Sequence, residues 1–360
     1  MYNLSPTKAI INLNNLRHNL AVIRTHLGLI DIMAVVKADA YGHGAIRIAQ
    51  CLQKESVQMF AVATVAEAIK LRENGILGRI LVLGAPFPEF LMAYAQYDLD
   101  LTLHDLSFLE VLQNEKHPIR IHVKIDTGMT RLGIWPEQWE EAKRIIATIP
   151  ELELVGNWTH FAVSDRIGDR FTEEQVDLFS VIANKKTHLQ NTAGILNQSG
   201  FLSNQIPTWA RIGIGLWGFD PCEPMQEPKL LPVMKLVSKI AQVKYISRGT
   251  SVSYGRTWTA PYDTWVATVA VGYADGYIRH LSNKGWVEAS GRRYRVIGKI
   301  CMDMLMIEIG PTQTVAYGDE VVLWGSETLS ATEVASWGQT IPYTLVTGVS
   351  HRVPREYLDE

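Results

Sequence analysis

The sequence predicts an α/β fold, a (β/α)8 barrel of the TIM type over residues 1–227, followed by a C-terminal all-β domain over residues 228–360. Three observations lead there. Over the first two thirds of the chain, eight short apolar runs alternate with longer segments of helical spacing. From Asp220 to Pro228 three prolines fall within nine residues, which interrupts any regular element and marks a domain limit. Beyond that stretch the apolar runs shorten, alternate with polar residues and are separated by Gly-containing turns.

Taken in order, residues 8–13 read as a strand lying outside the barrel and packing with the second domain. A helix started by Asn14 and stopped by Gly28 follows. The barrel strands are expected at 32–37, 59–63, 79–83, 99–103, 119–126, 152–160, 187–191 and 209–214. Between them, 65–74 is a helix closed by Gly75, and 136–149 is one opened by Pro136 and stopped by Pro150. Thr172 and Gln175 have the spacing of a capping box opening a helix through Ala183. Eight such units favour a closed barrel over an open sheet. In the second domain, strands are expected at 241–246, 265–271, 293–297, 304–309 and 320–323.

A net charge of -3 with no basic cluster argues against nucleic-acid and membrane-surface partners and leaves a small soluble substrate. The N-terminal Met1-Tyr2-Asn3-Leu4 lacks a signal-peptide pattern, and no apolar run reaches membrane-span length. Cys51, Cys222 and Cys301 are far apart and in no ligand-like spacing, which suits a reducing cytoplasm without disulfides or zinc. No metal site is supported.

A barrel of this kind works at the C-terminal ends of its strands. There the sequence places Lys37 and Tyr41, then Lys124, Asp126 and Arg131, then His160, then Asn191 and Thr192, and finally Arg211, Gly213 and Ile214. Buried polar groups cost free energy unless they serve one another or a ligand, so five polar strand ends on one rim point to a site. Lys37 follows the apolar residues 32–36, so its stem is buried and its amine is biased toward the neutral, nucleophilic form. Thr192, Gly213 and Ile214 offer a hydroxyl and backbone N–H groups to a phosphate. A lysine and a phosphate cradle on one rim suggest pyridoxal 5'-phosphate.

The segments AVVKADAYGHG, KIDTGMTRLG, WTHFA, RIGIGLWG, VSYGRTW, VGYADGY, CMDM and HRVPR, in that order and spanning nearly the whole chain, resemble bacterial alanine racemase, a fold-type III pyridoxal-phosphate family. The resemblance implies that Lys37 holds the cofactor and acts as one catalytic base. Tyr254, from the partner subunit of a homodimer, is the other, and inversion at Cα needs two such groups on opposite faces. Phenolate lies about three pH units above neutrality, roughly 4 kcal/mol, so the tyrosine needs help, which the family supplies through His160 linked to Arg211. Arg211 is implied to face the pyridine nitrogen and to keep it unprotonated, since two such charges 4 Å apart repel by about 4 kcal/mol at an effective dielectric near 20.

By the same resemblance Tyr41, Asn191, Thr192, Gly213, Ile214 and His351 bind the cofactor. Arg131, together with Met302 and Asp303 of a partner-derived loop, borders the substrate, and Tyr273 binds it at the access channel with Asp275 and Arg279, although these last two also suit a solvated ion pair. Lys124 matches a position often carbamylated, which would relieve its repulsion with Arg131, as would a nearby carboxylate such as Asp126. Thr192 stands where many members have serine, Trp217 where tyrosine is common, and His351 where many have a tyrosine that narrows the pocket. The shorter His351 suggests that serine or another small amino acid is accepted beside alanine. A decarboxylase of the same architecture is disfavoured by Arg211, and a noncatalytic cofactor carrier by Tyr254, Met302 and Asp303. The family implies D-alanine supply for the cell wall.

Overall fold

The structure is a computed structural model of the 360-residue chain, described over residues 4–183, 186–197, 208–222 and 229–359. Residues 223–228, and with them the expected domain limit at 227/228, lie outside the described residues. The chain divides into two compact units, Leu16–Ala40 with Gly44–Leu231, and Met1–Asn15 with Tyr41–His43 and Pro232–Glu360.

The chain opens with β1 (Lys8–Asn12), a strand of the second unit. Asn12 caps the helix that follows (Leu13–Leu27), its Oδ1 accepting from the N–H groups of Asn14 at 2.9 Å and Asn15 at 3.1 Å. The cap is therefore two residues earlier than Asn14, because Asn12 alone stands where its side chain can turn back onto the first free N–H groups.

Among the described residues the first unit carries eight parallel strands: β2 (Asp31–Val35), β3 (Met59–Val62), β4 (Arg79–Val82), β5 (Leu99–Leu103), β6 (Ile119–Lys124), β7 (Leu152–Trp158), β8 (Thr187–His188) and β9 (Trp209–Ile212). Each neighbours the next from β2 to β8, and β9 returns to β2. The sheet draws closed between β8 and β9, where Thr208 N–H donates to Thr187 O and Arg211 N–H to Gln190 O, both at 3.0 Å. Strands β3 and β5 are buried throughout, as in a parallel sheet covered by helices on its outer face and filled by side chains within.

The helix Val65–Glu73 opens on a capping box between Thr64 and Glu67. The helix Phe171–Ser180 does not use the one expected at Thr172 and Gln175. Thr172 already lies inside the first turn, and Gln175 turns inward, its Oε1 accepting from Ala162 N–H at 2.9 Å and its Nε2 donating to His160 O at 3.0 Å.

The second unit is strand-rich. Its long strand β10 (Met234–Ile246) is followed by a two-residue hairpin pair, β11 (Ser251–Val252) and β12 (Trp258–Thr259), then β13 (Thr264–Val269), β14 (Trp286–Ala289), β15 (Arg292–Ile297), β16 (Leu305–Gly310), β17 (Glu320–Trp324) and β18 (Arg355–Leu358). The order β13-β16-β15-β14-β17-β10 closes on itself because β10 pairs β17 with its first half and β13 with its second. β1 and β18 extend this sheet from β10. Tyr277 stacks on Trp324 inside it, with ring centroids 6.0 Å apart. Two short helices, Ala331–Trp337 and Pro342–Thr347, are added to the strands. At that length they leave little helical periodicity to read.

Candidate active site

β2 ends at Val35, and Lys37 lies beyond it rather than at its last position. The last ladder bond is Val36 N–H to Ala61 O at 2.9 Å. Ala38, Asp39, Ala40 and Tyr41 then follow one another with φ of 52–54°, a left-handed turn made without glycine. Each such residue costs about 1–2 kcal/mol, so the turn must be held by its surroundings. Glu67 Oε1 accepts from Ala38 N–H at 2.6 Å, and Asp39 Oδ1 accepts from Ala45 N–H at 2.9 Å. The small Ala38 and Ala40 limit the clash of Cβ with the backbone. Burial lowers the pKa of the Lys37 amine, Arg131 lowers it further, Glu67 opposes, and Arg211 adds to the lowering.

Arg211, on β9, is buried and immobilised. Its Nη1 donates to His188 O at 2.5 Å and lies 2.9 Å from His188 Nδ1, while its Nη2 donates to Thr159 O at 2.6 Å and Leu189 O at 3.0 Å. The same Nη2 reaches His160 Nδ1 at 3.3 Å. Burial drives the guanidinium pKa down to about 9, which still leaves it charged at neutral pH. A guanidinium only donates, so His160 Nδ1 is a lone pair and a neutral ring carries its proton on Nε2. The neutral form is favoured by burial first, then by Arg211, Lys124, Arg131 and Lys37, all of which hold the His160 pKa well below its ordinary value.

Lys124, at the end of β6, is buried, and its Nζ donates to Ile125 O at 3.0 Å and sits 4.9 Å from the centre of the Trp158 ring. Burial, then Arg211, lower its pKa to about 7; Asp126 raises it and Arg131 lowers it further. Asp126 gives only partial relief, because its Oδ1 is engaged by the N–H groups of Gly128 at 2.9 Å and Thr130 at 3.0 Å in the turn leading to Arg131. Arg131 is exposed.

Beside these residues, Thr192 Oγ1 accepts from Gly213 N–H at 3.3 Å and Gly215 N–H at 3.4 Å. A Cβ on Gly215 would stand 2.7 Å from Thr192 Cγ2, so glycine is what lets the two loops approach. Ile214 is buried in the turn Ile214–Trp217. Asn191 serves the rim itself: its Oδ1 accepts from Gly194 N–H and from Ser164 Oγ, both at 2.9 Å.

In the second unit, Tyr254 sits in the loop of the β11–β12 hairpin and is 69% exposed. Tyr273 N–H donates to Cys301 O at 3.1 Å and Ala274 N–H to Met302 O at 3.0 Å, which draws the Tyr273 and Met302 loops together. Arg352 completes this cluster, donating to Asp303 Oδ1 at 2.8 Å and Asp275 Oδ1 at 2.7 Å. The cation of Asp275 is thus Arg352. His351 is exposed beside it. Tyr41 packs on Tyr343 with ring centroids 6.2 Å apart, and the adjoining Gly42, at φ 82°, leaves no room for a Cβ against Val346 O.

A family model for the N-terminal domain of alanine racemase matches residues 11–221, and one for its C-terminal domain matches 233–357. The chain belongs to the alanine racemase family. An alanine racemase from Carboxydothermus hydrogenoformans is 37% identical over 99% of this chain and 100% of its own. One from Geobacter sulfurreducens is 38% identical over 98% of this chain and 97% of its own. Among solved structures, alanine racemase of Clostridium difficile 630 superposes with a TM-score of 0.92 at 34% identity, covering 99% of this chain and 97% of that one. The biosynthetic alanine racemase of Pseudomonas aeruginosa gives 0.90 at 32% identity, covering 99% and 100%.

Alanine racemases depend on pyridoxal 5'-phosphate, and the residues present fit that group. The barrel rim offers a desolvated amine at Lys37, a fixed guanidinium at Arg211, and a hydroxyl clustered with two backbone N–H groups at Thr192. Glu67, His188 and Arg352 are not singled out by the sequence, and Gln175 is expected there only as a helix cap. Glu67 follows a strand at the spacing of a capping residue, which was the signal available for it.

Proposed function

We propose that this member of the alanine racemase family interconverts L- and D-alanine with pyridoxal 5'-phosphate held on Lys37, using Lys37 and the Tyr254 of a second copy as the two proton-transfer groups. The observation that carries this reading is the Lys37 amine, desolvated at the barrel rim and flanked by the charges of Arg131 and Arg211. Bound there, the cofactor withdraws electrons from the substrate Cα and so weakens its bond to hydrogen. Lys37 takes or returns a proton on one face. Tyr254 serves the other, where the Nε2–H of a neutral His160 stabilises its phenolate by a hydrogen bond. Arg211 would supply a fixed cation toward the ring nitrogen of the bound cofactor, which would disfavour protonation there. Thr192, whose Oγ1 accepts from Gly213 N–H, and the N–H of Ile214 would hold the phosphate. Asn191 keeps that rim in shape.

Arg131 and the loop residues Met302, Asp303 and Tyr273 receive the substrate carboxylate and border its side chain. Lys124 carries a carbamate, whose negative charge orients Arg131. The working form is a homodimer in the cytoplasm, and the D-alanine goes to peptidoglycan. Support for the dimer comes from Tyr254, a large aromatic 69% exposed on a hairpin loop.

The test is incubation of the holoenzyme with L-alanine in deuterated water, followed by chiral separation with mass detection. Appearance of Cα-deuterated D-alanine is the expected result; bound cofactor with no deuterium in either enantiomer would refute it. A parallel run with L-serine addresses His351. Serine is accepted, and His351→Tyr lowers the serine-to-alanine ratio of kcat/KM; an unchanged ratio removes His351 from substrate selection.

A further inference from the structure

Filling the interior of this barrel with branched apolar side chains would be the simple solution. Instead a line of polar groups crosses it from β5 to β9. Asp100, His122 and His188 are each 0% exposed and Arg211 is 3% exposed. Asp100 Oδ2 lies 3.2 Å from His122 Nε2, His122 Nδ1 lies 3.0 Å from His188 Nε2, and His188 Nδ1 lies 2.9 Å from Arg211 Nη1. At the outer end, Arg79 Nη2 donates to Asp100 Oδ2 at 2.5 Å and Arg120 Nε to Oδ1 at 2.6 Å, both from side chains that reach solvent.

The donors fix the protons along this line. Arg211 can only donate, so His188 Nδ1 must be a lone pair. A neutral His188 then has its proton on Nε2 and gives it to His122 Nδ1, and a neutral His122 gives its Nε2–H to the Asp100 carboxylate. Every link points the same way, from guanidinium to carboxylate. Burial is the largest influence favouring the neutral form of both imidazoles; at His122 the Asp100 carboxylate opposes it and Arg79 and Arg120 add to it, and at His188 Arg211 is the foremost of the cations that add to it. Packing holds the rings in register, since His188 stacks on Trp158 at 5.5 Å with a 12° tilt, and the Arg211 guanidinium lies 4.7 Å from the centre of the same Trp158 ring.

We propose that Asp100, His122 and His188 are positioning residues: a one-way hydrogen-bond relay anchored by the Asp100 carboxylate sets the tautomer of His188 and thereby the place and orientation of Arg211. This rests on the reading above that Arg211 stands toward the cofactor ring nitrogen. A purely space-filling role would not require one tautomer. Were His188 to carry its proton on Nδ1, an N–H would face an N–H, and Arg211 would lose one of its acceptors and move. A buried polar line that is only partly satisfied is worse than an apolar one, which is why the anchor matters at a distance. A carboxylate fixing a histidine tautomer for a third group is an established chemical arrangement in serine proteases.

The experiment uses holoenzyme with 15N-labelled histidine and long-range 1H–15N correlation, which separates the two neutral tautomers. In the wild-type protein His122 and His188 are both expected as the Nε2–H form; a protonated Nδ1 on His188 would overturn the proposal without any variant. In Asp100→Asn the amide N–H₂ can turn toward His122, reversing the relay so that both rings become Nδ1–H. The expected accompaniments are a fall in kcat of about 10- to 100-fold, as for other outer-shell partners, little change in KM, and faster conversion of the bound cofactor to its amine form during turnover with alanine. His122→Phe keeps a ring but breaks the relay, and should release His188 from its single tautomer with the same kinetic signature. Folded variants, checked by thermal melting, that keep His188 as Nε2–H and retain wild-type kcat would refute the proposal. A wild-type enzyme with the expected tautomers but no Cα deuteration would instead refute the racemase reading and leave the relay standing.

Discussion

Lys37 and Lys124 illustrate two ways of lowering an amine pKa. Both are dominated by burial and both are lowered further by Arg131 and Arg211, but the opposing carboxylate is Glu67 at Lys37 and Asp126 at Lys124. With a Lys124 pKa of about 7 in the fold and about 10.4 in an unfolded chain, the unfolded state binds more protons between those values. Unmodified Lys124 therefore costs stability fully below pH 7, and the cost fades as pH rises toward 10.4. A neutral amine near pH 7 also reacts with carbon dioxide, and the resulting carbamate turns repulsion from two arginines into attraction. Bicarbonate at pH 8 should raise the Tm of the wild type by a few degrees, about 1 kcal/mol, and leave Lys124→Met unchanged. Equal shifts in both proteins would contradict this. Lys37 was legible because five apolar residues lead into it. His188, Asp100 and His122 were not, since a polar residue in a strand looks the same whether it faces water or a barrel interior.

At the scale of elements, the left-handed turn after β2 takes its shape from Glu67. One carboxylate accepts from Ala38 N–H at 2.6 Å, Ala63 N–H at 2.8 Å and Thr64 N–H at 3.1 Å. It thus joins the turn beside Lys37 to the start of the helix Val65–Glu73. Glu67→Ala leaves three donors without that partner and should cost about 2–3 kcal/mol in urea unfolding, with weakened cofactor retention. A loss of about 0.5 kcal/mol or less, as for an ordinary surface change, would show that the turn holds itself. A barrel strand such as Met59–Val62 was readable from its apolar run, whereas Leu99–Leu103 and Ile119–Lys124 carry Asp100, Thr102, Arg120 and His122 within them. The turn was not: four consecutive non-glycine residues at positive φ run against local preference and are set by tertiary contacts. The unformed capping box at Thr172 failed for a related reason, because Gln175 found better partners in Ala162 and His160.

For the whole molecule, the two groups assigned to opposite faces of the substrate lie in different units, Lys37 in the barrel and Tyr254 in the strand-rich unit. The motif order singles out both residues, but a single chain's sequence carries no direct record of which copy supplies which face. Exchange between two inactive variants addresses that question most directly. Lys37→Ala and Tyr254→Phe, each inactive alone, are mixed in equal amounts, dissociated and reassociated. If each site takes its lysine from one copy and its tyrosine from the other, half of the dimers are mixed and each holds one intact site, so about a quarter of the wild-type activity returns. If the mixture stays inactive although mass spectrometry shows mixed dimers, the two residues serve the same copy, and the shared site is wrong.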